Sequence, residues 1–145
     1  MKIKITSKSL IETQKIAGKF ALAWKPPLVI SLIGDLGSGK TVFAKGFAKA
    51  LGIKKNVTSP TFTILNDYEN NPPLFHFDMY RLKNKEEAYE LGFDEYFDLT
   101  KLKGFCIVEW ACNVYDLLPE RHMEIEFIKK SKTERELIIE MKGII

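Results

Sequence analysis

Apolar positions along the first third of the chain switch between the period of a strand and the period of a helix. Lys2–Thr6 alternates polar and apolar residues, which predicts a short strand. A helical stripe follows, with Ser7 or Ser9 as its cap; it begins at Leu10, runs to about Trp24 and is expected to pack in the core. After two prolines, Leu28–Ile33 is an unbroken, β-branched apolar run, so it predicts a buried strand.

The rest of the chain predicts further strands. Thr61–Tyr68 is rich in β-branched and aromatic residues, and Leu74–Met79 follows it after a turn, so the two form a predicted hairpin. Asp94–Leu99 has no clear period and is left unassigned. The other predicted elements are a helix at Lys85–Leu91, a buried strand at Phe105–Trp110, a helical turn at Asp116–Pro119, and two alternating antiparallel strands at Met123–Ile128 and Glu136–Met141. His122 stands at the start of the first of these two strands, where an exposed position is expected, and it is given no role.

A glycine-rich loop directly follows the first buried strand. Gly34–Thr41 matches G-x-x-x-x-G-K-[ST] at every fixed position, and its residues are Gly34, Asp35, Leu36, Gly37, Ser38, Gly39, Lys40 and Thr41. Glycines allow several backbone N–H groups to face a phosphate, and the predicted helix starting near Ser38–Lys40 adds its positive end. Lys40 would reach the β- and γ-phosphates, and the Thr41 hydroxyl would bind Mg²⁺. The loop therefore predicts a nucleoside triphosphate site.

A P-loop that uses Mg²⁺ needs an acid at the end of a neighbouring strand. Two carboxylates fit this position: Asp78 follows Leu74–Phe77 near the end of a predicted strand, and Glu109 follows four apolar residues. Ligands in open α/β sheets gather at the carboxyl ends of the strands. We therefore predict Thr41 and Glu109 as metal ligands, with Asp78 beside the metal or orienting the attacking water.

Three neighbouring features have two interpretations each. Trp110 either covers the nucleotide or packs in the core. Ser59–Thr61 is either a loop that senses the γ-phosphate or a turn fixed by proline. His76, between two phenylalanines, is more typical of a structural histidine than of a base.

Composition adds limits to this picture. The chain has 145 residues and a net charge of +3, which predicts a single P-loop domain over residues 1–145. No run reaches transmembrane length and the first residues do not form a signal peptide, so we expect a cytoplasmic protein without a membrane partner. Cys106 and Cys112 fit no zinc or redox spacing. Clusters of lysines could contact RNA phosphates, although a solvated face is the more usual interpretation.

Several further motifs occur in an order typical of one family. They are Gly34–Thr41, S-P-T-F-T at 59–63, H-F-D-M-Y-R-L at 76–82, Glu109-Trp110 and Leu118-Pro119. On these residues the sequence resembles the bacterial TsaE family, also called YjeE. The P-loop alone is generic, but its combination with the other motifs is specific, and the resemblance covers nearly the whole chain.

The resemblance implies a three-layer α/β fold of the P-loop NTPase type, with parallel central strands and antiparallel strands at the edges. It implies a protein that binds ATP and Mg²⁺ and hydrolyses ATP slowly, acting with TsaD and TsaB in the modification of tRNA adenosine 37 to threonylcarbamoyladenosine. Lys40, Thr41, Asp78 and Glu109 take the phosphate, metal and hydrolytic roles, and Trp110 lies beside the nucleotide. The switch-like loop includes Thr61, and the resemblance implies that Thr13 lies near the base.

The sequence departs from the family at Cys112, where an acid is frequent. A small-molecule kinase is the main rival function, but such kinases clamp the phosphoryl group with several arginines and this chain has only Arg81, Arg121 and Arg135. A GTPase is rejected because Asn84-Lys85 is followed by glutamates and does not follow a buried strand. A module whose bound nucleotide only sets affinity for a partner is the third alternative.

Overall fold

The computed structural model describes residues 2–143, apart from the side chain of Asn113. The strands in this range are β1 (Lys2–Ser7), β2 (Leu28–Ile33), β3 (Leu65–Tyr68), β4 (Leu74–Asp78), β5 (Phe105–Glu109), β6 (His122–Lys129) and β7 (Arg135–Lys142). The helices are α1 (Leu10–Ala23), α2 (Lys40–Ala50) and α3 (Lys85–Glu90), with two 3₁₀ helices, η1 (Phe93–Phe97) and η2 (Ala111–Leu117). None of these helices is long and apolar enough to cross a bilayer.

All seven of these strands form one mixed sheet in the order β1-β7-β6-β2-β5-β4-β3. The central strand β2 pairs in parallel with both β5 and β6, and β4 is parallel to β5. The flanking pairs β1–β7, β6–β7 and β3–β4 are antiparallel. This arrangement confirms the predicted α/β class with parallel central strands and antiparallel edges.

One face of the sheet is covered by α1 and α2. Ser9 caps α1 by accepting a hydrogen bond from the Glu12 N–H, as the sequence predicted. Phe43 and Phe47 of α2 are fully buried against the sheet. The Phe47 ring packs edge to face on Phe105 of β5, with 5.1 Å between the ring centroids. This packing fixes the helix that follows the P-loop against the sheet.

The two helices approach each other closely at one glycine. A Cβ atom on Gly46 of α2 would lie 2.4 Å from the backbone oxygen of Gln14 in α1. Only a residue without a side chain fits this crossing. The opposite face is covered by short elements, α3, η1 and η2, around a second apolar cluster that includes Phe77 and Val108.

Some boundaries differ from the prediction. The strand predicted at Thr61–Tyr68 begins only at Leu65, because 61–63 form a turn in which the Ile64 N–H donates to the Pro60 carbonyl oxygen at 2.6 Å. The unassigned stretch contains η1, and the turn predicted at Asp116–Pro119 belongs to η2, which starts earlier.

Two burial predictions also change. His122 was expected at the start of an exposed strand, but it is only 3% exposed and its Nδ1 bonds the Pro119 carbonyl oxygen at 2.8 Å. Leu10, expected on the core stripe of α1, is exposed and lines a cavity beside the P-loop. The loop at Pro119 therefore covers His122, whereas Leu10 lies exposed at the first position of α1.

Candidate functional site

The P-loop connects β2 to α2 with the backbone conformations that its glycines permit. Gly37 and Gly39 have φ values of 78° and 110°, a region that other residues adopt at a cost in energy. A Cβ on Gly34 would lie 2.5 Å from the Ser38 Oγ and 3.0 Å from the Phe127 carbonyl oxygen. The first glycine is therefore required for close approach, and the other two for backbone curvature.

Lys40 begins α2, and its side chain folds back over the loop. Its Nζ donates to the Gly34 carbonyl oxygen at 2.5 Å and lies 3.9 Å from the centre of the Trp110 ring. Burial lowers the pKa of Lys40, while the carboxylates of Glu109 and Asp78 act in the opposite direction. The ammonium group is thus held between the loop carbonyl, an aromatic face and two acids.

Strand register brings the predicted acids to the same level of the sheet as the end of β2. In the pairing of β2 with β5, Leu32 is opposite Glu109. In the pairing of β4 with β5, Asp78 is opposite Glu109. Parallel strands therefore place both carboxylates beside the start of the P-loop, as expected for the carboxyl edge of an α/β sheet.

A cavity of about 370 Å³ joins these residues, and we call it the acid-lined cavity. Its walls include Thr41 from the P-loop helix, Thr61 from the loop before β3, and the Asp78 and Glu109 side chains, with Trp110 at one side. Both carboxylates are almost fully buried, with exposures of 3% and 2%. Thr41 and Glu109, predicted as metal ligands, and Asp78, predicted beside the metal, thus line one space.

Asp78 connects the sheet to the loop at 58–63. Its Oδ2 accepts hydrogen bonds from the Thr61 hydroxyl at 2.9 Å and the Ser59 hydroxyl at 3.2 Å. Its Oδ1 accepts from the Tyr80 N–H at 3.0 Å. The conformation of the loop is therefore tied to the carboxylate that was predicted beside the metal.

Glu109 is paired with a buried histidine from the neighbouring strand. The Nε2 of His76 lies 2.6 Å from Glu109 Oε2, and the His76 side chain is fully buried. His76 Nδ1 has no partner among the described residues, so Nε2 is the ring nitrogen through which the side chain bonds the carboxylate. The predicted structural histidine is thus placed to orient Glu109.

Trp110 stands at a sharp bend after β5. It adopts a left-handed conformation with φ 56° and ψ 47°, which is uncommon for a bulky residue and clusters at functional sites. The ring contacts Tyr80 edge to face at 5.2 Å and carries the Lys40 ammonium group on one face. Of the two interpretations of Trp110, its position at the cavity wall favours the one beside the ligand.

The remaining predicted residues fall into two groups. Gly34, Asp35 and Ser38 line a neighbouring cavity of about 670 Å³, which Cys112 also borders and which shares Lys40 and Trp110 with the acid-lined cavity. Thr13 lines neither cavity, because its side chain is buried and its hydroxyl lies 2.6 Å from the Ser7 Oγ. The structure therefore brings together the phosphate and metal residues but leaves Thr13 in the packing of α1.

One residue of the site was not predicted. Arg135, at the start of β7, is only 6% exposed and donates hydrogen bonds to the carbonyl oxygens of Gly37 and Ser38 in the P-loop. A signal was available, because the alternation of β7 places Arg135 on the same face as the buried Leu137 and Ile139. A charged residue in an apolar strand position calls for a specific partner.

A mixed sheet with a G-x-x-x-x-G-K-T loop between a central strand and a helix defines the class of α/β proteins with a P-loop NTPase-like fold. Within that class the chain belongs to the TsaE family, because the family model described as "Threonylcarbamoyl adenosine biosynthesis protein TsaE" matches residues 7–137. The resemblance predicted from the motifs is therefore confirmed.

Known relatives support the same assignment. The tRNA threonylcarbamoyladenosine biosynthesis protein TsaE of Bacillus subtilis is 44% identical over 133 residues, covering 91% of this chain and 81% of that protein. The protein of the same name from Treponema pallidum is 39% identical, covering 77% and 80%. Among solved structures, the crystal structure of Bacillus subtilis YdiB superimposes on this chain with a TM-score of 0.83 and covers 99% of this chain and 87% of that chain. The two sequences are 38% identical.

Proposed function

We propose that this protein binds ATP with Mg²⁺ and hydrolyses it slowly, as a cytoplasmic accessory protein acting with TsaD and TsaB in forming threonylcarbamoyladenosine at position 37 of tRNA. The observation that carries the proposal is the acid-lined cavity, in which the P-loop residue Thr41 faces Asp78 and Glu109 from two adjacent strands. Membership of the TsaE family supplies the pathway.

On the phosphate side of the cavity, the chain would act mainly by holding negative charge. The backbone N–H groups at the start of α2 favour an anion, and so does the positive N-terminal end of the helix dipole. Lys40 would exchange the Gly34 carbonyl oxygen for phosphate oxygens, which are stronger acceptors because they are charged. Trp110 would then screen the ammonium group and the phosphates from water.

The donor set fits Mg²⁺. Thr41, Asp78 and Glu109 offer only oxygen atoms, which this ion prefers, and Mg²⁺ commonly keeps waters and substrate phosphates as its other ligands. No group of three or more His, Cys, Asp or Glu side chains within residues 2–143 could form an all-protein metal cage. When bound, the ion would neutralise charge on the phosphates and help to align them. Thr41 and Glu109 would hold it, with Asp78 close by.

Asp78 has a second role in this proposal. Its carboxylate accepts from Ser59 and Thr61, so any change in what it binds alters the hold on the loop at 58–63. Loops that respond to the γ-phosphate commonly act through such hydroxyl and carboxylate contacts. We propose that the loop reports the state of the nucleotide to a partner, and that Asp78 also orients the attacking water.

The rim of the site carries exposed apolar side chains. Leu36 at the tip of the P-loop and Phe62 in the loop at 58–63 are 85% and 86% exposed, and Tyr80 is 60% exposed. Apolar groups grouped around a site mark surfaces for protein partners. This supports a partner-dependent ATPase over an independent enzyme, and it also favours the alternative of a binding module with incidental hydrolysis.

The test is to measure phosphate release from ATP by the purified protein, alone and with purified TsaD–TsaB, with GTP as the control. Alone, we expect turnover well below about one per second, because no arginine is among the described residues that line the acid-lined cavity, and assisted GTPases depend on an arginine that stabilises the transition state. Stimulation by TsaD–TsaB that is specific to ATP supports the proposal.

Three results would contradict parts of it. Fast turnover by the isolated protein would remove the need for a partner. Phosphate appearing on a small metabolite would favour a kinase. ATP-dependent binding to TsaD–TsaB without any hydrolysis would leave the binding module as the function.

A further inference from the structure

Arg135 carries a buried positive charge immediately behind the P-loop. Its guanidinium group makes five hydrogen bonds, all to backbone carbonyl oxygens, and no carboxylate of residues 2–143 forms an ion pair with it. Burying a charge without an opposite charge is costly, even with its donors satisfied. The position of this residue therefore needs a reason beyond packing.

The five hydrogen bonds divide between two segments. Nη1 donates to the carbonyl oxygens of the β6–β7 turn, those of Ser131 at 2.8 Å, Glu134 at 3.2 Å and Lys132 at 3.4 Å. Nε donates to Ser38 O and Nη2 to Gly37 O, both at 3.1 Å. Bonds within the turn explain Nη1 alone, whereas the other two nitrogens connect the turn to the P-loop.

The two P-loop contacts constrain the direction of the peptide groups. In a trans peptide the carbonyl and the N–H point in opposite directions. Holding the Gly37 and Ser38 carbonyls toward Arg135 turns the N–H groups of Ser38 and Gly39 away from it. The Ser38 N–H closes the loop by donating to the Asp35 carbonyl oxygen at 3.0 Å, and the next peptides lead into the start of α2. The Ser38 N–H is therefore used within the loop, and the Gly39 N–H is the one that this arrangement leaves for an anion, as in a backbone nest.

We propose that Arg135 is a positioning residue for triphosphate binding: it fixes the P-loop from behind through the Gly37 and Ser38 carbonyls and adds an unpaired positive charge to the site. This rests on the proposed function, because it assumes that the loop binds a nucleotide. The charge acts through the loop backbone and does not touch the phosphates. It is therefore separate from the part played by Lys40.

The experiment compares Arg135→Gln, Arg135→Lys and, as a matched control, Arg121→Gln. Arg121 borders a different cavity, with Trp24 and Pro26, and has no contact with the P-loop. Titration calorimetry with Mg-ATP measures affinity, and thermal melting measures stability. Amide hydrogen exchange measures how readily Gly37–Gly39 open, with the amides of β5 as the internal reference. Turnover is not needed for any of these readouts.

We expect Arg135→Gln to weaken ATP affinity by about tenfold to a hundredfold, the range for loss of a charged hydrogen-bonding group. Exchange at Gly37–Gly39 should become faster while β5 is unchanged. Arg135→Lys should recover part of the affinity, because it keeps the charge but not the planar fork. Arg121→Gln should stay within about twofold of the original protein, as expected for a residue outside the site.

A folded Arg135→Gln protein with unchanged affinity and unchanged loop exchange would overturn the inference, as would lower stability with full affinity. If Arg135→Gln does not fold, the Arg135→Lys protein decides by the same criteria. Failure of the original protein to bind ATP would count against the proposed function. Faster loop exchange in the variant would still support the positioning of the loop by Arg135.

Discussion

The two sides of the acid-lined cavity are held in place in different ways. The phosphate side, which consists of Gly34–Thr41 with Arg135 behind it, has Ser38, Lys40 and Arg135 exposed by only 2%, 6% and 6%. The acid side consists of Asp78 and Glu109 with the loop at 58–63. Its carboxylates are buried, but the loop they hold is largely exposed, and two hydroxyls connect that loop to Asp78.

This contrast suggests that the two sides have different roles, one in binding and one in conformational change. A preformed phosphate side loses little conformational freedom when an anion binds, so it contributes mainly to affinity. A loop with few buried contacts opens at low cost and is suited to change between states. We expect substitutions on the phosphate side to weaken nucleotide binding, and substitutions on the acid side to reduce hydrolysis while nucleotide still binds.

The largest effect should come from Lys40→Ala on the phosphate side. Loss of the ammonium group removes the charged contact to the phosphates, and ATP affinity should fall by at least about a hundredfold. Calorimetric titration with Mg-ATP measures this, with Lys45→Ala on the same helix as the control. Unchanged affinity would show that the loop does not bind the triphosphate.

Glu109→Gln should separate the two sides most clearly. The amide keeps the shape of the side chain but loses the charge, so Mg²⁺-dependent hydrolysis should fall by about a hundredfold. Nucleotide binding should remain within about tenfold, because the P-loop is intact. The measurement pairs single-turnover hydrolysis with binding of a fluorescent ATP analogue, and equal losses in both would remove the distinction between the sides.

The support beneath the phosphate side can be tested without touching the site. Gly46→Ala places a Cβ 2.4 Å from the Gln14 carbonyl oxygen, so the free energy of unfolding should fall by about 1–3 kcal/mol. Gly18→Ala is the matched control, since its Cβ would lie 3.5 Å from the Ala50 Cβ, an ordinary contact, and alanine favours a helix. Urea denaturation of the two variants measures the difference; equal stabilities would mean that the crossing of α1 and α2 can relax.

The contact of His76 with Glu109 predicts a smaller effect than the loss of Glu109 itself. His76→Phe should raise the Mg²⁺ concentration for half-maximal hydrolysis by about tenfold, the usual effect of losing a group that orients a metal ligand. His76→Gln can place its amide nitrogen where Nε2 stands and should recover much of the loss. If glutamine and phenylalanine behave alike, His76 only fills space.

The smallest effect is expected in the loop itself. Thr61→Val removes the 2.9 Å hydrogen bond to Asp78 and should lower the rate of hydrolysis by about two- to fivefold, with affinity for ATP unchanged. Thr63→Val is the control, because the Thr63 hydroxyl donates to Asn66 and not to Asp78. A larger loss of affinity than of rate would assign Thr61 to the phosphate side.

The sequence by itself determined the class of fold, the P-loop and the family. A buried apolar strand, a fixed pattern of glycines and a following helix are local features, so Gly34–Thr41 and the ends of β4 and β5 could be assigned from neighbouring residues alone. The same local signals predicted Asp78 and Glu109 as the acids, since each comes at the end of a largely apolar strand.

Only the tertiary structure determined which side chains of distant segments contact each other. The pairing of His76 with Glu109, the hold of Asp78 on Ser59 and Thr61, and the contact of Arg135 with a loop almost a hundred residues earlier all depend on strand order and register. Hydrogen bonds across adjacent strands are not encoded by the periodicity of either strand. The sequence therefore identifies the residues proposed to carry the chemistry. The order and register of the strands determine which residues each of them contacts.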